Sequence, residues 1–134
     1  MTMIMEWSSV LAIDHGDIDN EHQAMVELLN KLHNALQTRN MVRVSDLLEQ
    51  FSSAAMEHFA MEEQLMQELG YPHLLRHKAQ HDELAERAQN LHYDLIHNNI
   101  PFDEGITESL RDWMLDHILG EDRELGLFLL HKQQ

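Results

Sequence analysis

Apolar residues recur at three- and four-residue spacing along almost the whole chain, and no run of alternating β-branched residues interrupts them. This pattern predicts an all-α protein. A first helix is expected over about 19–38, capped by Asp19 or Asn20, with Met25, Val26, Leu29, Leu32 and Leu36 as its apolar stripe. A second is expected over about 42–69. Its stripe begins Val44, Leu47, Leu48, Phe51, Ala54, Ala55 and continues in the same register through His58, Glu62, Leu65 and Leu69. Gly70 is suited to stop that helix, and Pro72 to the first turn of a third over about 73–97. The stretch "HNNIPFDEG" breaks the pattern before a fourth helix over about 102–120, and the periodicity allows a bent continuation over 121–131. Residues 1–17 read as an irregular N-terminal arm. Short links between four helices favour antiparallel neighbours, so a single domain, 1–134, built as an up-down-up-down four-helix bundle is expected.

The stripes carry residues that a core does not ordinarily take. His58 and Glu62 are four apart and share the apolar face of the second helix. His77 and His81 do the same on the third, in register with Leu84, Ala88, Leu91 and Leu95. His22 lies one turn before the stripe of the first helix, and His117 lies on the inner face of the fourth with Trp113, Met114 and Ile118. A buried, unpaired carboxylate costs several kcal/mol, on the order of the penalties for isolated buried charge. No Lys or Arg on the inner stripes is placed to offset that cost, which leaves a metal cation as the candidate.

Counting residues outward from each link tests whether these side chains meet. His22 is 16 residues before Thr38 and His58 is 16 after Val42, so both stand about 24 Å from the first link at 1.5 Å per residue. Glu62 is 9 residues before Tyr71 and His81 is 9 after Pro72. His81 is 17 before Asn98 and His117 is 14 after Asp103. Seven residues are thus expected in one layer: His22, His58, Glu62, His77, His81, His117 and Asp122. A lone inward histidine is usually a hydrogen-bonded core residue, and a lone pair at four-residue spacing means little. Seven at one height favour metal binding. Asp122 fits least simply, because a five-residue step from His117 turns it about 140° past that histidine on an ideal helix. A local widening of the helix at Gly120 would bring it inward; otherwise Asp122 merely caps the segment that follows.

Composition narrows the chemistry. The chain has no cysteine, which excludes disulfides, zinc-thiolate sites, iron-sulfur clusters and thiol nucleophiles. A formal charge of −15 argues against nucleic acid or an anionic membrane as partner. The opening residues contain neither a basic region nor a long apolar run, so no signal peptide, anchor or membrane insertion is expected, and a cytoplasmic monomer fits. Five imidazoles and two carboxylates suit iron, zinc, manganese or copper, and are too many for one ion. Around two octahedral ions, five histidines, two bridging carboxylates and a bridging oxo or hydroxo group fill eleven of twelve positions and leave one for a small exogenous ligand.

These motifs resemble those of the bacterial hemerythrins. The resemblance rests on Trp7, "IDNEH" ending in His22, "HFAMEEQLM" with His58 and Glu62, "YPHLLRHKAQH" with His77 and His81, and "WMLDHILGED" with His117 and Asp122. It spans about Trp7 to Leu125 and fills every ligand position of the family. It implies a non-haem centre of two iron ions with an oxo or hydroxo bridge that binds dioxygen reversibly, for transport, storage or delivery to an oxygen-consuming enzyme. By the same resemblance His77, His81 and His117 would hold one iron, His22 and His58 the other, with Glu62 and Asp122 bridging and dioxygen binding at the two-histidine iron.

A carrier is expected rather than an enzyme. Ferritin-like di-iron enzymes use Glu-x-x-His pairs, and this chain contains none. A peroxidase, nitric oxide reductase or iron-repair protein on the same scaffold would need an added reactive residue or an electron-donor surface. A sensor of this family is usually fused to a signalling output, for which no segment is expected here. A structural zinc bundle would need neither a vacancy nor bridging carboxylates. Met25, Phe59, Leu84, Trp113, Met114 and Ile118 are candidates to line an oxygen pocket, although core packing explains them equally well. Glu63 points about 100° away from Glu62 and is expected to be solvated. His33 and His92 are expected as core or boundary histidines, His73 as an exposed helix-start residue, and His15, His97 and His131 at the surface.

Overall fold

His15, rather than Asp19 or Asn20, opens the first helix of the computed structural model, which describes residues 3–13, 15–97 and 104–132. The His15 Nδ1 accepts the Ile18 N–H at 3.3 Å and caps α1, Gly16–Gln37. Asp19 is drawn elsewhere: its carboxylate accepts the Ile13 N–H at 2.9 Å and fastens the preceding arm to the helix. It still lies in the first turn with Asp17, where negative charge suits the helix dipole.

A tight link leads into α2, Met41–Leu69, capped by the Asn40 side chain on the Arg43 N–H. That helix ends at Gly70, whose φ of 67° would strain a side chain, and the Tyr71 N–H closes the last turn on Met66 O at 2.9 Å. The next helix, α3, is Leu74–His97. The described part of α4 is Glu104–His117, so of the expected "HNNIPFDEG" break at 97–105 the ends, His97, Glu104 and Gly105, are helical, while 98–103, with the expected helix start at 102, lie outside the described residues. After His117 the chain forms a π-helical turn, Ile118–Asp122, and continues as α5, Arg123–Lys132. Regular α geometry therefore stops three residues before the expected end at 120. The bent continuation exists, and the wide turn joins it to α4.

The result is an all-α, antiparallel up-down-up-down bundle in which α1 packs on α2 and α4, and α2 on α3. Among the described residues no helix is long and apolar enough to cross a membrane. The core is divided. One apolar cluster contains Met25, Leu29, Ala55, Phe59, Met114 and Ile118. The other contains Ile18, Met66, Tyr71, Leu125 and Leu129. On α1 the two clusters are separated by His22, on α2 by Glu62, and after α4 by Asp122. A polar layer thus interrupts an otherwise continuous core.

The arm crosses this layer on the outside. Asn30 binds it as a strand would, accepting from the Ile4 and Met5 N–H groups at 2.9 and 3.0 Å and donating to Met5 O at 2.8 Å. Arg123 donates to Val10 O at 2.7 Å. Between these anchors the Trp7 ring stands 6.5 Å from the His22 ring.

Candidate metal centre

All seven candidate ligands are brought into the polar layer, and none is more than 4% exposed. One-turn spacing places His58 above Glu62 on α2 and His77 above His81 on α3. The irregular step from His117 to Asp122 is taken up by the π turn. Its wider i→i+5 winding returns the fifth residue to the face of the first. Asp122 Oδ1 consequently lies 3.1 Å from His117 Nε2.

Each carboxylate divides its two oxygens between two sets of histidines. Glu62 Oε1 lies 3.0 Å from His77 Nε2 and 3.1 Å from His81 Nε2, while Oε2 lies 2.6 Å from His58 Nε2 and 3.7 Å from His22 Nε2. Asp122 Oδ1 lies 3.0 Å from His77 Nε2, and Oδ2 lies 3.0 Å from His22 Nε2. Two foci result: Glu62, His77, His81, His117 and Asp122 around one, and His22, His58, Glu62 and Asp122 around the other. Within each, one donor atom from every member lies within 4.8 Å of all the rest.

The protonation pattern tests whether a cation fits. His58 Nδ1 lies 3.2 Å from Glu21 Oε1, His81 Nδ1 lies 3.1 Å from Glu63 Oε2, and His117 Nδ1 meets the Gln80 side-chain carbonyl. These oxygens accept, so the three Nδ1 atoms donate, and a neutral ring then keeps a lone pair on Nε2. The Nε2 atoms of His81 and His117 face each other at 3.1 Å, and that of His58 faces a carboxylate oxygen. Lone pairs directed at one another repel unless a positive charge lies between them. His58 Nε2, Glu62 Oε2 and both Asp122 oxygens are buried without a hydrogen bond. That would cost about 1–3 kcal/mol for each polar group left unsatisfied, and more for a charged one. Cations at the two foci would satisfy the entire set, so the donor set fits metal.

Without metal, protons compensate. Burial alone would lower the His58 pKa, but the Glu62 carboxylate 2.6 Å from its Nε2 outweighs burial and raises it to about 9. His77 is raised to about 9 in the same way, against burial, by Asp122 and Glu62. Burial and mutual repulsion would raise the two carboxylates; the surrounding histidines prevail and hold both below the usual range.

Three residues with a part in this layer are not apparent from the sequence. Glu63, expected to be solvated, is half-buried and accepts from His81 Nδ1, with Lys78 Nζ 3.4 Å from its other oxygen. Its 100° offset from Glu62 directs it not outward but across the seam to α3. Glu21 and Gln80 behave alike, so that α1 supplies an acceptor to a histidine of α2, α2 to one of α3, and α3 to one of α4. The available signal was adjacency, since each flanks an inward residue: His22, Glu62 or His81. The remaining histidines stay outside the layer. His33 is buried and bonded to Thr107 Oγ1 at 2.8 Å, and His92 is half-buried. His73 is exposed beside Glu124, His97 and His131 are exposed, and His15 is the half-buried cap already described.

An apolar cavity of about 40 Å³ adjoins the layer. Met25, Phe59, Leu84, Trp113, Met114 and Ile118 all line it, and the histidines reaching it are His22, His58 and His117.

Residues 15–128 match the family model described as the Hemerythrin HHE cation binding domain. The chain is 32% identical to a bacteriohemerythrin of Stenotrophomonas maltophilia over 90% of its own length and 78% of that protein. It is 28% identical to one of Methylococcus capsulatus over 92% and 95%. It is also similar to a crystal structure of wild-type hemerythrin, with a TM-score of 0.88 and 28% identity across 92% of this chain and 95% of that one. The seven-residue layer and the extent of these matches lead to one conclusion: the chain belongs to the hemerythrin family of cation-binding domains.

Proposed function

We propose that the protein binds dioxygen reversibly at a non-haem di-iron centre, as a carrier, store or donor of oxygen. In this reading His77, His81 and His117 would hold one iron and His22 and His58 the other, with Glu62 and Asp122 placed to reach both. The observation that carries it is the division of each carboxylate, one oxygen toward each focus. The names of the relatives, bacteriohemerythrins, support the same function.

Two ferrous ions would supply two electrons that dioxygen can accept and return. The protein's own contribution lies in the surroundings. The two-histidine focus has one protein ligand fewer, and both of its histidines border the apolar cavity, whereas His77 and His81 do not. A neutral diatomic entering that space meets the less crowded focus. Phe59, Met114 and Ile118 exclude water from it, which disfavours loss of charged oxygen species and slows autoxidation. Glu21, Glu63 and Gln80 fix three rings in the tautomer that presents Nε2 inward. Imidazole predominates over carboxylate in the donor set, which favours exchange of dioxygen over oxidation beyond the diferric state.

The test is anaerobic loading with ferrous iron, exposure to air, and removal of oxygen, followed by visible spectroscopy. A ferric charge-transfer band that appears in air and vanishes on deoxygenation supports the carrier. A band that bleaches once and does not return points instead to a di-iron enzyme.

A further inference from the structure

We infer that Met56 gates the passage of a small apolar gas between the surface and the apolar cavity. A cleft of about 170 Å³ lies on the surface along the α2–α3 seam, and it shares three wall residues with the cavity: Met56, Phe59 and Ala85. These three therefore form the partition between solvent and the interior.

Only one of them can move cheaply. Phe59 is stacked on the His81 ring at 4.1 Å and 11° and meets His117 edge-on at 5.8 Å, so rotating it would disturb two residues of the polar layer. Ala85 has no side-chain torsion to turn. Met56 is unbranched, with three rotatable bonds, and at 48% exposure it has room to swing outward. Its sulfur is held by a weak hydrogen bond from Gln89 Nε2 on α3, at 3.7 Å, which acts as a latch across the seam. The passage is selective by its chemistry. The gate itself is apolar, and in the outer cleft Glu63 and Asp82 share Lys78, so an uncharged gas crosses without the desolvation penalty that an ion would meet.

The inference rests on the dioxygen reading only for the identity of the physiological gas. Xenon tests the gate independently, since dry apolar cavities bind it. Exchange of xenon between solvent and cavity is to be measured by NMR on the full chain loaded with zinc as a diamagnetic filler. Met56→Ala should raise the exchange rate roughly tenfold and Met56→Trp should lower it by a similar factor, the effect of a barrier of rotamer size. Gln89→Ala should give a smaller increase. In the iron-loaded chain, Met56→Ala should speed both association and release of dioxygen. Xenon that occupies the cavity but exchanges at one rate in all variants would overturn the gate, as would its absence from the cavity. An iron-loaded chain that never binds dioxygen reversibly would remove the proposed function yet leave the xenon result intact.

Discussion

Asp122 Oδ1 lies 3.1 Å from His117 Nε2 although five residues separate them, and the π turn Ile118–Asp122 is what aligns them. Two changes of length test this relationship. Deleting Gly120, where no neighbouring atom crowds the glycine, leaves a four-residue step that an ordinary α-helix places on one face. Inserting an alanine after Gly120 turns Asp122 about 100° out of the layer. Metal analysis should therefore find two ions per chain in the deletion variant and fewer in the insertion variant. Two ions in both would mean that Asp122 is not a ligand.

Substitution of the layer itself should follow the division of oxygens. Glu62→Gln keeps the shape but, on the proposed ligand set, would leave one anionic group reaching both foci instead of two, and His117→Ala removes a donor from the crowded focus. Both variants should retain at most one tightly held iron. His131→Ala, at an exposed position on α5, should retain two. Equal iron content in the His117 and His131 variants would refute the ligand assignment.

The seven residues of the layer were legible because each breaks an apolar stripe at helical spacing, and residue counts from the links place them at one height. Glu21, Glu63 and Gln80 were not, because a polar residue on the flank of a helix is ordinarily solvated. Only the packing of the next helix turns that flank into a contact. The first cap was missed for a related reason: Asp19 is a good cap by type, but the arm competes for its carboxylate through Ile13. The π turn was foreshadowed by an awkward five-residue spacing, which sequence could raise but geometry had to resolve.

Glu63 offers a way to separate charge from orientation. Glu63→Gln can still accept from His81 Nδ1, whereas Glu63→Ala cannot. Loss of such a supporting group typically costs roughly ten- to a hundredfold in metal affinity. Competition with a chelator should show a loss in that range for the alanine variant and a smaller one for glutamine. Identical affinities in all three proteins would show that His81 is oriented by packing against Phe59 alone.

The metal-free chain should have a pH window of maximum stability. His58 and His77 stand at about 9 when folded, against an ordinary 6.5, so their contribution is complete below about 6.5 and lost as pH rises through 9. Glu62 stands at about 2 against 4.5, and Asp122 is also depressed, so theirs is complete above about 4.5 and lost as pH falls toward 2. Thermal melts should peak between about 4.5 and 6.5. Metal must displace protons from the same histidines, so the added stability of the loaded chain should shrink as pH falls. A metal-free melting temperature that climbs from pH 6.5 to 9 would contradict the assignment of these protons.

Gly126 decides how firmly the arm is held. A Cβ built there would lie 2.8 Å from Ile13 Cβ and 2.9 Å from Ile13 O. Gly126→Ala gains about 1 kcal/mol of helix propensity, whereas overpacking against a fixed neighbour costs about 1–3 kcal/mol. Half of the clash is with backbone, which cannot turn aside, so the penalty should win and the arm should shift off α5. Its other anchors, Asn30 on Met5 and Asp19 on Ile13, would then bear the strain. The expected outcome is a lower melting temperature together with faster amide exchange at Met5 and Ile13, while the Arg43 amide that Asn40 caps, at the far end of α1 and α2, is unchanged. Because Trp7 rides on the same arm beside His22, autoxidation of the iron-loaded variant should quicken as water reaches that histidine. A variant more stable than the parent, with the arm amides no less protected, would show that Ile13 yields and that the close approach at Gly126 is not what secures the arm.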